Sequence, residues 1–171
     1  MREGLVRFIF DASDAFFQGH PIEPGSARDN QWVRLPERLQ PPLPDGGTRR
    51  KGKTTIVRKL LKEVPGTRAA PLAWFKRFRG EMIGANWEQS RVDPSIFYHR
   101  HLETKRVDGY IPLQVDDGMG RASTAMLEIL PKQLKSMFKM GRMEVRVDES
   151  DFNGRTYRTE RNAKGEEIGL R

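Results

Sequence analysis

The chain has 171 residues, of which 36% are hydrophobic and 32% charged, and its net charge is +8. That length is enough for one domain with a core of its own, and the composition is not that of a disordered chain. Because the chain contains no cysteine, disulfides, zinc–thiolate sites and cysteine nucleophiles are excluded. It has neither the apolar segment of a signal peptide nor the run of about 20 apolar residues that spans a bilayer, so we expect an intracellular protein, cytoplasmic or nuclear, that is not secreted and has no membrane partner.

The first half of the chain is predicted to form short strands and one helix. Strand-forming residues occupy 5–10 and 31–35, a loop rich in proline and glycine follows at 36–47, and residues 56–61 are extended or a brief helical turn. Residues 71–83 are predicted to be helical, because a proline suits the start of a helix and apolar side chains recur on one stripe, formed by Trp74, Phe75, Phe78 and Met82.

The second half is predicted to contain four strands and a second helix. The helix covers 123–138, where Pro131 must kink or divide it, and the strands cover 95–100, 110–115, 143–147 and 154–159. Because the links between the elements are short, their order predicts an α+β fold, in which an antiparallel sheet carries helices packed on one face. We expect one domain over residues 1–160 and a polar tail that frays over 161–171.

Two acidic clusters stand at the ends of predicted strands. Asp11 follows the first strand, and Asp116 and Asp117 follow the strand at 110–115. If the two strands are neighbours in one sheet, their carboxylates meet, and hard oxygen donors of this kind suit Mg²⁺ together with substrate phosphates. Two such ions can clamp both oxygens of a phosphoryl transfer, which points to nucleotidyl transfer. An adjacent pair of aspartates by itself is more often a turn or a helix cap.

The positive charge is concentrated in one segment. Residues 49–79 contain eleven lysines and arginines against a single acid, Glu63, so the segment carries a charge of +10. A basic segment beside an acidic metal site suits a polyanionic substrate, and the alternative is a solvated basic surface.

Residues 47–54 match the P-loop pattern of glycine, four residues and Gly-Lys-Thr. A P-loop needs a buried strand immediately before it, and the proline-rich residues 40–46 cannot form one. We therefore predict a flexible basic loop here and keep a P-loop nucleotidase as an alternative, which the variant Lys53→Ala tests.

Six motifs, in order along residues 5–159, resemble those of copia-type retrotransposon reverse transcriptases. They are DASDAFFQG at 11–19, WVRLP at 32–36, KLLK at 59–62 with APLAWF at 70–75, DPSIFY at 93–98, VDD at 115–117 and FKMG at 138–141. The resemblance implies the palm of an RNA-directed DNA polymerase, which copies an RNA or DNA template from a primer and deoxynucleoside triphosphates. It also implies two Mg²⁺ ions, or Mn²⁺ in their place.

The resemblance also assigns roles to individual residues. Asp11 and Asp116 would bridge the two metals, and Asp117 would be a weaker ligand or would orient the site. Phe16 matches the family's steric gate against a ribose 2′-hydroxyl. Backbone amides at Ala12, Ser13 and Ala15 would touch the triphosphate, and Gly66 and Pro71 would shape the turn and the helix start beneath the template base. The cations expected to face template or primer phosphates are Arg49, Arg50, Lys51, Lys53, Arg58, Lys59, Lys62 and Arg68.

Several positions depart from the family pattern. Gln114 and Pro65 stand where the family has tyrosine, Ala69 where it has glutamine, and Leu72 where it has arginine. The fingers are largely missing, so we expect a partial copy whose parent polyprotein would supply the fingers, RNase H and integrase. The alternative is a catalytically dead remnant that binds nucleic acid through its basic segment.

Overall fold

The computed structural model describes residues 4–34, 36, 57–145, 148–152, 154–163, 165 and 167–170. Over these residues the chain forms eleven strands, two α-helices and a short 3₁₀ helix at Ala15–Gln18. The strands are β1 (Val6–Ala12), β2 (Trp32–Arg34), β3 (Val57–Lys59), β4 (Trp87–Gln89), β5 (Ile96–Arg100), β6 (Val107–Gln114), β7 (Asp117–Ala122), β8 (Met140–Val145), β9 (Glu149–Phe152), β10 (Arg155–Arg161) and β11 (Glu167–Leu170). The helices are α1 (Ala70–Gly84) and α2 (Thr124–Met137), and no helix within the described residues is long and apolar enough to cross a membrane.

The largest sheet has six strands in the order β4-β5-β6-β7-β1-β8. Every neighbouring pair in it is antiparallel. β1 is an interior strand, because β7 pairs with one of its edges and β8 with the other. The predicted α+β fold with an antiparallel sheet is therefore confirmed.

Both helices pack on the same face of this sheet. Alternate residues of a strand point to one face, and Phe8, Phe10 and Ala12 of β1 are buried in a single core cluster that includes residues of α1 and α2. The Phe78 ring of α1 lies 6.3 Å from the Phe10 ring and 5.2 Å from the Phe138 ring, measured between centroids. Helices on one face, as the sequence predicts, are thus confirmed.

A second sheet is formed by β9, β10 and β11, and its strand β10 contacts the opposite face of β1 at Arg7. Arg7 points to this face and is 2% exposed. Its guanidinium donates to the Tyr157 carbonyl at 3.2 Å and to the Thr159 hydroxyl at 2.8 Å, so the charge is buried with hydrogen-bond partners. The tail at 161–171, which we expected to fray, contains β11, and Leu170 there pairs with Thr159.

Pro131 does not divide α2. The helix runs from Thr124 to Met137 with the proline inside it, although a proline removes one backbone donor from the helical ladder. Leu130 and Leu134 are fully buried on either side of Pro131 and fix this stretch to the core, which offsets the lost hydrogen bond. At the other end, the Ser123 hydroxyl accepts the Met126 N–H at 3.2 Å and caps the helix.

Candidate active site

The three aspartates come together where β1 meets the β6–β7 hairpin. Asp11 of β1 lies directly opposite Asp117 of β7, and Asp117 also pairs with Gln114 at the end of β6. Asp116 occupies the two-residue turn between those strands. The neighbour of β1 is therefore β7, the strand after the turn, which the sequence analysis did not identify.

The turn that carries Asp116 is held by hydrogen bonds to both of its carbonyls. Val115 adopts φ 57°, a left-handed conformation that is strained for a β-branched residue. The Trp74 indole N–H donates to the Val115 carbonyl at 2.6 Å, and the Ala12 backbone N–H donates to the Asp116 carbonyl at 2.9 Å. We expected Trp74 only in the core. It is buried there, and it also fixes the turn.

The Asp11 carboxylate lies against a bare glycine on the neighbouring strand β8. A Cβ added to Gly141 would collide with Asp11 Oδ2 and would come within 2.8 Å of Ser13 Oγ. The glycine therefore makes room for the carboxylate. FKMG at 138–141 was part of the motif pattern, and Gly141 received no role because the contact joins residues far apart in sequence.

Burial and mutual repulsion disfavour the charged forms of these carboxyls. Burial raises the pKa of Asp11, and the nearby Asp116 raises it further. Burial also raises the pKa of Asp117, with smaller contributions from Asp116 and Asp11. The three groups thus share one electrostatic environment, in which a bound cation would favour ionised carboxylates.

The donor set suits Mg²⁺, because it consists of carboxylate oxygens. Within the described residues, no group of three or more His, Cys, Asp or Glu side chains converges as a ready metal site.

The raised pKa values predict that Asp117→Asn stabilises the fold at neutral pH. Between the ordinary carboxyl value of 3.8 and the raised value, the folded state binds more protons than the unfolded state, so stability falls as the pH rises through that window. The penalty is therefore larger at pH 7 than at pH 3. We expect Asp117→Asn to melt at a higher temperature than the wild type at pH 7, and we expect this difference to shrink at pH 3.

Asp93 provides a control of opposite sign for this experiment. Hydrogen bonds from the Ser95 hydroxyl and backbone N–H lower the pKa of Asp93, so its charge stabilises the folded state above the ordinary carboxyl value. Asp93→Asn should therefore lower the melting temperature at pH 7. If Asp117→Asn also lowered the melting temperature at pH 7, the proposed repulsion between the aspartates would be contradicted.

The segment that follows Asp11 is fixed in place by Gln18. The Gln18 side-chain amide donates to the Ser13 carbonyl at 2.7 Å, and its oxygen accepts the Lys139 backbone N–H at 2.8 Å. Ala12 and Ala15 are buried in the core, and Ser13 is half-buried. Phe16 is also half-buried and packs against the core, so its role as a steric gate stays a prediction.

Gly66 and Pro71 shape the start of α1, as their sequence context indicates. Gly66 adopts φ +92°, which favours glycine, and Pro71 lies in the first turn of the helix. Among the described atoms outside residues 65–67, none lies within 4 Å of where a Gly66 Cβ would be, so nothing places this residue against the aspartates.

Half of the cations that we expect to bind template or primer phosphates lie among the described residues. Arg58, Lys59, Lys62 and Arg68 are exposed, which leaves them accessible to a polyanion. Lys59 already pairs with Asp29 at 2.7 Å. The P-loop-like residues 47–54 lie outside the described residues, as do Arg49, Arg50, Lys51 and Lys53.

No protein-family model matches the chain, and no curated protein matches it at a significant level. The candidate site is supported by the pairing of its strands and by the hydrogen bonds of its turn.

Proposed function

We propose that this chain is the palm region of a copia-type retrotransposon reverse transcriptase, an RNA-directed DNA polymerase. The observation that carries the proposal is the register of β1 and β7, which sets Asp11 opposite Asp117 with Asp116 in the adjoining turn. Two further features support it: the antiparallel sheet with both helices on one face, and the six motifs in family order.

In this proposal the three aspartates hold two Mg²⁺ or Mn²⁺ ions. When bound, the ions supply Lewis acidity for attack of a primer 3′-hydroxyl on the α-phosphate of a deoxynucleoside triphosphate, with pyrophosphate as the leaving group. The protein contributes the position of the carboxylates. Trp74 and Ala12 hold the turn of Asp116, and Gly141 gives the Asp11 carboxylate its space.

Other residues of the site bind and select the substrate. Ala12, Ser13 and Ala15 present their backbone amides to the triphosphate, while Gln18 holds Ser13 in place. Phe16 excludes a ribose 2′-hydroxyl and so favours deoxynucleotides. The exposed Arg58, Lys59, Lys62 and Arg68 neutralise template or primer phosphates.

A second candidate is a catalytically dead remnant that still binds nucleic acid. It is favoured by the departures from the family pattern, since Gln114 pairs directly with Asp117 and Ala69 and Leu72 lie at the start of α1. The exposed basic residues are compatible with both candidate functions, the polymerase and the nucleic-acid-binding remnant.

Primer extension on poly(rA)/oligo(dT) tests the proposal. We expect the protein to extend the primer with dTTP in Mg²⁺ or Mn²⁺ and to stop when the metal is chelated, because the chemistry needs the ions. The same reaction with ribo-UTP should give much less product. Salt-sensitive binding of the duplex without any extension would overturn the polymerase and support the remnant.

A further inference from the structure

One tryptophan of this chain is exposed to solvent. The sequence contains three, and Trp74 and Trp87 are almost completely buried at 1% and 2% exposure. Trp32 is 59% exposed and lies on β2, which pairs with β3 to form a two-stranded ribbon. Leaving so large an apolar ring in water is unfavourable, so the ring is a candidate contact for a partner.

Two cations flank Trp32 on its face of the ribbon. Trp32 lies directly opposite Lys59, and Arg34 follows two residues along β2 on the same face, opposite Val57. Arg58 pairs with Val33 and therefore lies on the opposite face. Among the described ion pairs, one brings an acid to this face: Asp29 pairs with Lys59.

Among the described residues, positive charge exceeds negative charge on this face, because Arg34 and Lys59 lie there with one acid, Asp29. A partner that buries the Trp32 ring must therefore also be compatible with concentrated positive charge. Single-stranded nucleic acid meets both conditions, since its bases stack on aromatic rings and its phosphates pair with lysine and arginine.

We propose that Trp32 stacks against an unpaired base of single-stranded nucleic acid, while Arg34 and Lys59 neutralise the flanking phosphates. The inference rests on the proposed function and extends it, because it names the surface that holds the unpaired part of the template. A phosphate that reaches Lys59 competes with Asp29 for the ammonium group.

Intrinsic fluorescence tests this directly, because the other two tryptophans are buried. Titration with a 12-nucleotide oligo(dT) should quench the emission of the wild-type protein, and Trp32→Phe should bind with similar affinity but without that quenching. Trp32→Ala should bind about tenfold more weakly, as expected for the loss of one stacked base. An abasic backbone of the same length should quench little.

Salt dependence separates stacking from charge. The slope of log K against log salt should be unchanged in Trp32→Ala and should become about one unit shallower in Arg34→Gln, which loses one phosphate contact. Melting temperatures of all variants should equal that of the wild type, because both side chains are exposed.

The inference is overturned if oligo(dT) binds without quenching the emission, or if Trp32→Ala binds as tightly as the wild type. A quenching that depends on protein concentration and not on oligonucleotide would also overturn it, since a second copy of the chain would then cover the ring. Quenching by oligo(dT) without primer extension would refute the polymerase and leave this surface established.

Discussion

Asp116→Asn will abolish primer extension while leaving the fold intact. The substitution keeps the size of the side chain and removes the charge that the ions need. The turn itself is held by the backbone carbonyls of Val115 and Asp116, which the substitution does not touch. We expect extension to fall by at least three orders of magnitude, with an unchanged circular dichroism spectrum and unchanged affinity for the primer–template duplex.

Asp14→Asn is the matched control for this experiment. Asp14 lies three residues after Asp11 and pairs with Lys139 at 2.6 Å on the surface, where an ion pair contributes little. Its φ of 55° is also well tolerated by asparagine. Extension should therefore continue at close to the wild-type rate. If Asp116→Asn also retained extension, the aspartates would not be the metal ligands.

Gly118→Ala will destabilise the fold by about 3 kcal/mol, at the upper end of what overpacking in a core costs. Gly118 of β7 is buried, and a Cβ there would collide with the ring of Phe10 on the adjacent strand β1. Phe10 is itself 3% exposed, so its ring has little room to move. Chemical denaturation monitored by the buried tryptophans measures the free energy of unfolding.

A double-mutant cycle with Phe10→Leu tests the cause of this loss. Leucine is shorter than phenylalanine, so Gly118→Ala should cost at least 1 kcal/mol less in the Phe10→Leu background than in the wild type. Gly80→Ala in α1 is the control, because a Cβ there meets no described atom within 4 Å and alanine favours helix. Strictly additive losses would mean that Phe10 does not lie over Gly118.

Much of the fold could be predicted from the periodicity of apolar residues. The stripe of Trp74, Phe78 and Met82 predicted α1, and all three side chains are buried. Residues 95–100 and 110–115 alternate in the manner of strands and became β5 and β6, to within a few residues. Such patterns are local, and they indicate which face of each element is buried.

The elements that were missed are those whose stability comes from distant partners. β7 begins DGMG, a composition typical of a turn, and it forms a strand because Gly118 and Gly120 leave space for the rings of Phe10 and Phe8. β4 has three residues, too few for a recognisable period. β11 is held by pairing with β10, which no pattern within its own four residues indicates.

In the candidate site, too, local sequence patterns predicted some features, and contacts between distant residues determine the others. The motifs predicted the aspartates, and the structure brings them to one place. The Trp74 hydrogen bond to the turn and the fit of Asp11 against Gly141 could not be predicted, because each joins residues far apart in sequence.

The interior position of β1 has a consequence for how the protein is made. Residues that complete its surroundings come late in the chain: Arg7 bonds to Thr159, 152 positions away. At translation rates of roughly 5–20 residues per second, β1 leaves the ribosome about 7 to 30 seconds before β8 and β10 are available. Hairpins such as β5–β6 can form in that interval, since their contacts are local. The edge of β1 that pairs with β8 therefore stays unpaired until the end of the chain has been made, so the packing of Gly141 against the Asp11 carboxylate is a late contact of the site.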